Sequence, residues 1–190
     1  MRRAGVWGVA MRVDTVVGQL SVELVGEGSA ALLWHSLFVD ATQWARVRDV
    51  LGAHRMLVLV DGPGHGSSGP PPRRFTLSDC ADAGRQVLDA LSLPAVDWVG
   101  TAWGGHVGIL FAARHPEHCR TLAAIAAPIQ PLSAGERARI GSLVVAYRLV
   151  GPVRPLTRPW STRCWVRRAS RTRSWWTSFE PRSLRPIAVG

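Results

Sequence analysis

The sequence predicts an α/β fold with a mostly parallel sheet and helices on both of its faces. Two observations lead to this prediction: short apolar runs alternate with stretches of helical periodicity, and most of those runs are apolar at every position. Parallel strands are joined by crossover helices that cover both faces of the sheet, so they lose the apolar–polar alternation of a half-exposed strand. With 190 residues, the chain is long enough to form one such domain.

The strands and helices follow in order along the chain. We expect an N-terminal extension over residues 1–11 and then a two-stranded hairpin over residues 12–25, with Gly18 between its strands. The remaining strands are predicted at residues 30–34, 56–60, 96–99 and 121–127. Helices are predicted at residues 42–51, 76–91, 104–115 and 133–149. The core therefore covers residues 12–130, and residues 131–157 begin a lid or cap region.

Composition excludes several classes of protein. No apolar run approaches the ~18 residues that a transmembrane helix requires, so we expect no membrane partner. The three cysteines lie far apart, at positions 80, 119 and 164, without the spacing of a metal site. Because an odd and scattered set of cysteines is typical of a reducing compartment, we predict a cytoplasmic protein without a metal.

The net charge of +10 is concentrated near the C-terminus. Residues 1–150 contain 14 arginines against 12 acidic residues, whereas residues 151–190 contain 9 arginines against Glu180 alone. A basic stretch of this kind is compatible with a nucleic-acid-binding arm. The predicted core, however, has none of the excess positive charge that such binding requires.

Three loops that follow predicted strands carry the strongest functional signals. Ligands of parallel sheets bind beyond the carboxyl ends of the strands, where these loops lie. The loops read Trp34-His35-Ser36-Leu37, Asp61-Gly62-Pro63-Gly64-His65-Gly66-Ser67 and Gly100-Thr101-Ala102-Trp103-Gly104-Gly105. In this order and at this spacing they resemble the oxyanion loop, the Asp-x-x-Gly-His-Gly loop and the nucleophile elbow of the α/β-hydrolase family. The resemblance covers roughly residues 13–130, and it implies a hydrolase of esters or related bonds in small molecules.

The glycines of the third loop fit the tight turn of such an elbow. Its central residue is strained, and side chains two positions before and after it would collide, which Gly100 and Gly104 avoid. We assign Gly105 to the same turn. The resemblance implies that the backbone N–H groups of Leu37 and Trp103 form the oxyanion hole, at the N-terminus of the following helix.

The centre of the elbow is where this sequence departs from the family. Ala102 has a methyl group in place of a nucleophile, and a methyl group cannot attack a carbonyl. Ser36 replaces the glycine that follows the family's first-loop histidine. After residue 130 the only carboxylates are Glu136 and Glu180, and the last histidine is His118. No catalytic triad can be assembled, so we expect this chain to be inactive.

The other polar residues of the three loops are interpreted as structural. His35 and His65 match family histidines that orient the backbone, and Asp61 ends a strand where it can hydrogen-bond a neighbouring loop. The glycines of the second loop lack the spacing of a dinucleotide site, so no cofactor is predicted. The candidates for lining a pocket are Ser36, Thr101 and His106.

Three functions follow from these observations. The first is a hydrolase by descent, inactive as this polypeptide, and the second is a non-catalytic small-molecule binding module on the same fold. The third, from a different class, is a nucleic-acid binder that uses the basic tail. We predict a small molecule as the partner and no nucleic acid, and the sequence leaves the oligomeric state open.

Residues 158–190 form an irregular basic tail that contains four of the nine tryptophans. Neither helical nor strand periodicity is present there, and disordered segments normally avoid tryptophan. Because tryptophan has a single codon, a one-base shift turns Trp175-Trp176-Thr177 into a leucine, valine or methionine followed by Val-Asp. We therefore predict that this tail is read in a shifted frame. The family's acid and histidine are then expected downstream in the other frame.

Overall fold

A computed structural model of the chain describes residues 8–131 and 133–150. Within them, six strands form one sheet in the order β1-β2-β4-β3-β5-β6. The strands are β1 (Gly8–Thr15), β2 (Gly18–Val25), β3 (Ala30–Trp34), β4 (Met56–Val60), β5 (Val96–Thr101) and β6 (Cys119–Ile125). The pairs β3–β4, β3–β5 and β5–β6 are parallel, whereas β1–β2 and β2–β4 are antiparallel. The predicted mostly parallel α/β fold is confirmed.

The described residues form four helices, of which the first three connect the parallel strands. They are α1 (Ala45–Gly52), α2 (Leu77–Ala90), α3 (Trp103–Arg114) and α4 (Ala134–Val150), with 3-10 turns at Ala41–Trp44 and Pro116–His118. The predicted capping box begins α2: the Thr76 hydroxyl accepts the N–H of Asp79, and the Asp79 carboxylate accepts the N–H of Thr76. These two bonds satisfy donors that the first turn of the helix would otherwise leave unpaired.

The core lies on both faces of the sheet. On one face, Trp44 packs with alternate residues of β3 and β4, including Leu33 and Leu57. On the other face, α2 and α3 cover a larger cluster that contains Trp34, Trp98 and Phe111. Trp34 and Trp98 stack with ring centroids 5.6 Å apart, and Trp98 stacks on Phe111 at 4.7 Å. Burial on both faces is the reason that β3 and β4 have no alternating pattern.

Several boundaries differ from the sequence prediction: α2 and α3 differ by one residue at each end, β5 continues two residues further, to Thr101, and further differences are as follows. β1 begins at Gly8, so residues 8–11 of the predicted N-terminal extension belong to the sheet, where Gly8 pairs with Val25. β6 begins and ends two residues earlier than expected. The helix expected at residues 42–51 is a 3-10 turn followed by α1. In β1 the first strand residues are exposed and paired through the backbone, which leaves no apolar pattern to detect.

Asp97 holds three strands together at the amino end of the sheet. Its carboxylate accepts the Thr121 hydroxyl at 2.9 Å and pairs with Arg55 at 2.9 Å and Arg120 at 3.4 Å. Arg120 also donates to the carbonyl of Ala30 at 2.7 Å. Burial alone would raise the pKa of Asp97, but the hydrogen bonds from Thr121 and Arg120 and the two positive charges lower it.

β6 is an edge of the sheet that the described residues form. Among the described residues it pairs only with β5, and the side chains of Leu122 and Ile125 are 36% and 50% exposed. Residues 121–127 contain no charged side chain. Edge strands are normally protected from pairing with another chain by charges, prolines or bulges. β6 has no charged side chain after its first two residues.

We expect the purified chain to self-associate through β6, and a charge on that strand to oppose it. Ala123→Lys places a charge on an exposed position of the edge and is expected to shift sedimentation toward the monomer. Val9→Lys is the matched control, because Val9 is 63% exposed on the opposite edge strand. A monodisperse, cooperatively melting monomer for the unmodified chain would contradict this expectation.

Residues 129–131 and 133–150 belong to a second compact unit, whose described element is α4. Its first turn is capped by Ser133, whose hydroxyl accepts the N–H of Glu136 at 3.3 Å. In neither described stretch of the chain is a helix long and apolar enough to span a membrane. The predicted irregular tail at residues 158–190, and the end of the predicted lid region at residues 151–157, lie outside the described residues.

Candidate active site

Ala102 lies at the sharp turn between β5 and α3. Its backbone has φ 48° and ψ −106°, a conformation that residues with a side chain rarely adopt. Its N–H donates to the carbonyl of Ile125 on β6 at 2.8 Å, which fixes the turn to the neighbouring strand. The residue is half-buried at the N-terminus of a 12-residue helix, where backbone N–H groups favour a negative charge.

Glycines allow this turn through close backbone contacts. A Cβ on Gly100 would lie 2.1 Å from the carbonyl oxygen of Gly104, and a Cβ on Gly104 would lie 2.2 Å from that of Trp34. A Cβ on Gly105 would lie 2.6 Å from the Cβ of Ala127. The first turn of α3 therefore packs directly against the end of β3. This contact brings the loop after β3 beside the elbow.

His35 orders the loop after β3 from a buried position. Its Nδ1–H donates to the carbonyl of Ser36 at 2.7 Å, and its Nε2 accepts the N–H of Gly62 at 2.8 Å. A ring that donates through one nitrogen and accepts through the other is neutral. Burial, with the nearby His65, lowers the pKa of His35 to about 3. The ring thus links two loops of the site and is not placed to take up a proton.

Trp103 and His65 pack against this ring. The Trp103 ring centroid lies 5.5 Å from His35, 5.3 Å from His65 and 5.8 Å from Trp34. His65 Nδ1–H donates to the carbonyl of Pro63 at 3.0 Å. Burial lowers the pKa of His65 below its ordinary value, although the hydrogen bond to Pro63 acts in the opposite direction. An aromatic cluster thus packs against all three loops.

Asp61 ties the second loop to the turn that follows the first. One carboxylate oxygen accepts the N–H of Ala41 at 2.8 Å, and the other accepts the N–H of Ser67 at 2.8 Å. A Cβ on Gly66, which has φ 52°, would lie 2.2 Å from this carboxylate. Because both oxygens are held by backbone donors, Asp61 acts here as a structural acceptor.

Gln43 is the residue of this region that sequence reasoning missed. Its Oε1 accepts the N–H of Ser36 at 3.0 Å, and its Nε2 donates to the Thr101 hydroxyl at 2.9 Å. It thereby brings together two of the three predicted pocket residues. In the sequence, Gln43 is one polar residue directly before Trp44. No motif or periodicity marks it as part of a site.

The third predicted pocket residue, His106, contacts two backbone carbonyls. Its Nδ1 lies 2.9 Å from the oxygen of Ala102 and its Nε2 lies 2.9 Å from the oxygen of Pro128. Both nitrogens therefore face hydrogen-bond acceptors, and the ring supports the loop after β6. The Ser36 hydroxyl also points to backbone, since it donates to the carbonyl of Leu37 at 3.2 Å.

The geometry is that of a strand–turn–helix elbow with a loop from β3 beside it. The sequence model of the alpha/beta hydrolase fold matches residues 31–178 of this chain. The chain belongs to the α/β-hydrolase fold family. This result confirms the resemblance that the three loops indicated.

Two of the curated relatives that this chain is similar to are named as an esterase and a hydrolase. The chain is 38% identical over 108 residues to pimeloyl-[acyl-carrier protein] methyl ester esterase of Chromobacterium violaceum, which is 56% of this chain and 40% of that protein. It is 33% identical over 102 residues to 2-hydroxy-6-oxo-2,4-heptadienoate hydrolase of Pseudomonas putida, which is 52% of this chain and 37% of that protein. The chain therefore spans less than half the length of these two relatives.

Solved structures show the same fold. A thermophilic esterase from Thermogutta terrifontis superposes with a TM-score of 0.65 and 23% identity, over 76% of this chain and 55% of that one. A hydrolase from Pseudomonas aeruginosa superposes with a TM-score of 0.66 and 22% identity, over 85% of this chain and 65% of that one. At this level of identity the likeness concerns the fold alone.

At the centre of the elbow, where the family resemblance implies a nucleophile, this chain has the methyl group of Ala102. The role of the Trp103 and Leu37 N–H groups as an oxyanion hole stays a prediction. In the part of the chain that the structure describes, no group of three histidine, cysteine, aspartate or glutamate side chains is placed to hold a metal ion. We expect the two predicted N–H donors to polarise a bound carbonyl group.

Proposed function

We propose that this chain is a relative of ester hydrolases that does not itself turn over esters. The observation that carries the proposal is Ala102, which occupies the strained centre of the elbow with a methyl group. An acyl-enzyme requires an oxygen, sulfur or nitrogen nucleophile at that position. The class of substrate is taken from the relatives, whose names include a methyl ester esterase.

A non-catalytic role in small-molecule binding is the second candidate. It is favoured by the intact surroundings of Ala102: the close contacts of Gly100 and Gly104 and the anchored loop after β3 remain. The third candidate, a nucleic-acid binder, would use the basic residues 151–190, which lie outside the described residues. Binding that weakens steeply with added salt would favour this third function, whereas binding of a neutral ester would favour the second.

Ala102→Ser is expected to create only a trace of esterase activity. The substitution supplies a hydroxyl, but a serine hydroxyl at neutral pH is a weak nucleophile until a base removes its proton, and no histidine follows His118 in this chain. Oxyanion stabilisation without a triad can still give ~10³-fold over the uncatalysed rate. The measurement is turnover of p-nitrophenyl acetate by the unmodified chain and by the variant.

A second variant tests the same proposal by restoring the reading frame near Arg158 in addition to the serine. If the recovered segment brings a histidine, the frame-restored Ala102→Ser variant is expected to exceed the serine variant by a further ~10²-fold or more. Frame restoration without the serine is the control, and it is expected to remain inactive. Rapid turnover by the unmodified chain, unaffected by a serine-directed inhibitor, would contradict the proposed function.

A further inference from the structure

The oxyanion loop of this chain is held by two side chains that act on successive peptide groups. The N–H of Ser36 donates to Gln43 Oε1 at 3.0 Å, and the carbonyl of Ser36 accepts the Nδ1–H of His35 at 2.7 Å. The carbonyl of Ser36 and the N–H of Leu37 belong to one trans peptide and point in opposite directions. Because hydrogen bonds hold the peptide groups on both sides of the Ser36 Cα, the direction of the Leu37 N–H is fixed as well.

Gln43 also reaches the other side of the site. Its Nε2 donates to the hydroxyl of Thr101 at 2.9 Å, and Thr101 directly precedes Ala102. Because the Ser36 N–H can only donate, the amide oxygen of Gln43 must face it, and the amide nitrogen must face Thr101. One side chain therefore spans the loop that carries Leu37 and the turn that carries Trp103.

The backbone of Gln43 is held in place by the structure around it. Its N–H donates to the carbonyl of Asp40 at 3.0 Å in the 3-10 turn. The next residue, Trp44, is 7% exposed in the core, and Ala41 at the start of the turn donates its N–H to Asp61. A side chain with its backbone held in this way can fix the separation of the two loops.

We propose that Gln43 is a positioning residue that sets the Leu37 N–H against the Trp103 N–H, so that both can donate to one carbonyl oxygen of an ester-like ligand. This inference rests on the proposed function, since it concerns the same site. It assigns Gln43 no contact with the ligand. Removing its amide is expected to weaken oxyanion stabilisation and to leave access to the site unchanged.

The test uses Ala102→Cys as a reporter, because a thiol at a helix N-terminus can react as thiolate without a histidine. The variant is made with Cys119→Ser and Cys164→Ser, while Cys80 is buried and its pKa is raised by burial. The thiolate attacks the carbonyl carbon of p-nitrophenyl acetate, forming a C–S bond and a tetrahedral oxyanion. The C–O bond then breaks and p-nitrophenolate leaves with its electron pair. Iodoacetamide alkylates the same thiolate without an oxyanion and reports access and ionisation.

Gln43→Met keeps the length of the side chain and removes both hydrogen bonds. In the reporter background it is expected to slow acylation by p-nitrophenyl acetate about 10- to 100-fold and to leave alkylation by iodoacetamide within about twofold. Gln43→Glu is expected to restore most of the rate, because a carboxylate accepts both the Ser36 N–H and the Thr101 hydroxyl proton. Gln86→Met is the matched control: Gln86 accepts the N–H of Val16 at 2.7 Å, away from the elbow, and neither rate should change.

The possible outcomes separate this inference from the proposed function. The first quantity is the ratio of the acylation rate to the alkylation rate, compared with the same ratio for a free thiol. If the reporter has the higher ratio but Gln43→Met changes both rates equally or changes neither, the role of Gln43 is wrong and the oxyanion site stands. If the reporter shows no such enhancement in any variant, there is no oxyanion site to position and the inference about Gln43 is overturned, whereas the proposed lack of ester turnover, which only rapid turnover by the unmodified chain would contradict, stands. If Gln43→Met fails to fold, the Gln43→Glu variant decides: acylation no faster than that of a free thiol would overturn the inference.

Discussion

Gly104→Ala is expected to destabilise the core by about 3 kcal/mol. The new methyl group would lie 2.2 Å from the carbonyl oxygen of Trp34 and 2.8 Å from that of His35. Both contacts are with backbone, which cannot rotate away as a flexible side chain can. Either α3 moves away from β3, or the elbow loses its strained conformation. The measurement is the free energy of unfolding in urea.

Gly69→Ala is the matched control for this substitution. Its nearest neighbour would be the carbonyl oxygen of Gln19 at 3.7 Å, an ordinary van der Waals distance. We expect it to change the free energy of unfolding by less than about 1 kcal/mol. If Gly104→Ala were as mild as Gly69→Ala, the close packing of α3 on the end of β3 would be disproved.

Lowering the pH from 7 to 4 is expected to cost about 3 kcal/mol of stability through His35 alone. In the folded chain the pKa of His35 is lowered from 6.5 to about 3, by burial above all. The unfolded ring takes up a proton below about pH 6.5, so the unfolded state binds more protons between the two values. The stability is therefore fully present above pH 6.5 and is lost as the pH falls toward 3.

His35→Gln isolates this contribution. A glutamine oxygen can still accept the N–H of Gly62, but the side chain does not titrate. The variant is expected to be less stable at pH 7 and to lose about 3 kcal/mol less than the parent between pH 7 and pH 4 in urea unfolding. His54→Gln, at an exposed position, is the control and should leave the pH dependence intact. An equal pH dependence in the parent and in His35→Gln would contradict the buried, neutral ring.

The sequence predicts those features of the fold that a short local pattern of residue types determines. The strands Ala30–Trp34 and Met56–Val60 were expected at these residues, because burial on both faces requires an apolar residue at every position. The elbow was predictable because only glycine fits at positions 100 and 104, where a Cβ would lie about 2 Å from backbone atoms.

The features that no local pattern of residue types marks were missed. The start of β1 at Gly8 depends on backbone pairing with β2, and its exposed residues leave no pattern. Gln43 is a single amide whose role arises from two hydrogen bonds, to a loop 7 residues away and to a turn 58 residues away. His106 was a candidate for the pocket, yet its ring contacts the carbonyl of Ala102 at the elbow and that of Pro128 in the loop after β6. Such contacts require the tertiary structure.

The stacked indoles of the core provide an optical signature of the assembled elbow. Trp34 and Trp98 lie nearly parallel, with 15° between their planes, and Trp103 meets Trp34 edge-on at 81°. Trp34 ends β3, Trp98 lies in β5, and Trp103 is the first residue of α3, so this arrangement exists only when the three elements are docked. Fixed aromatic packing gives rise to near-ultraviolet circular dichroism, which is lost when a chain keeps its secondary structure but not its packing. The intensity of the tryptophan bands therefore reports, without any added label or substrate, what fraction of the molecules has a formed elbow.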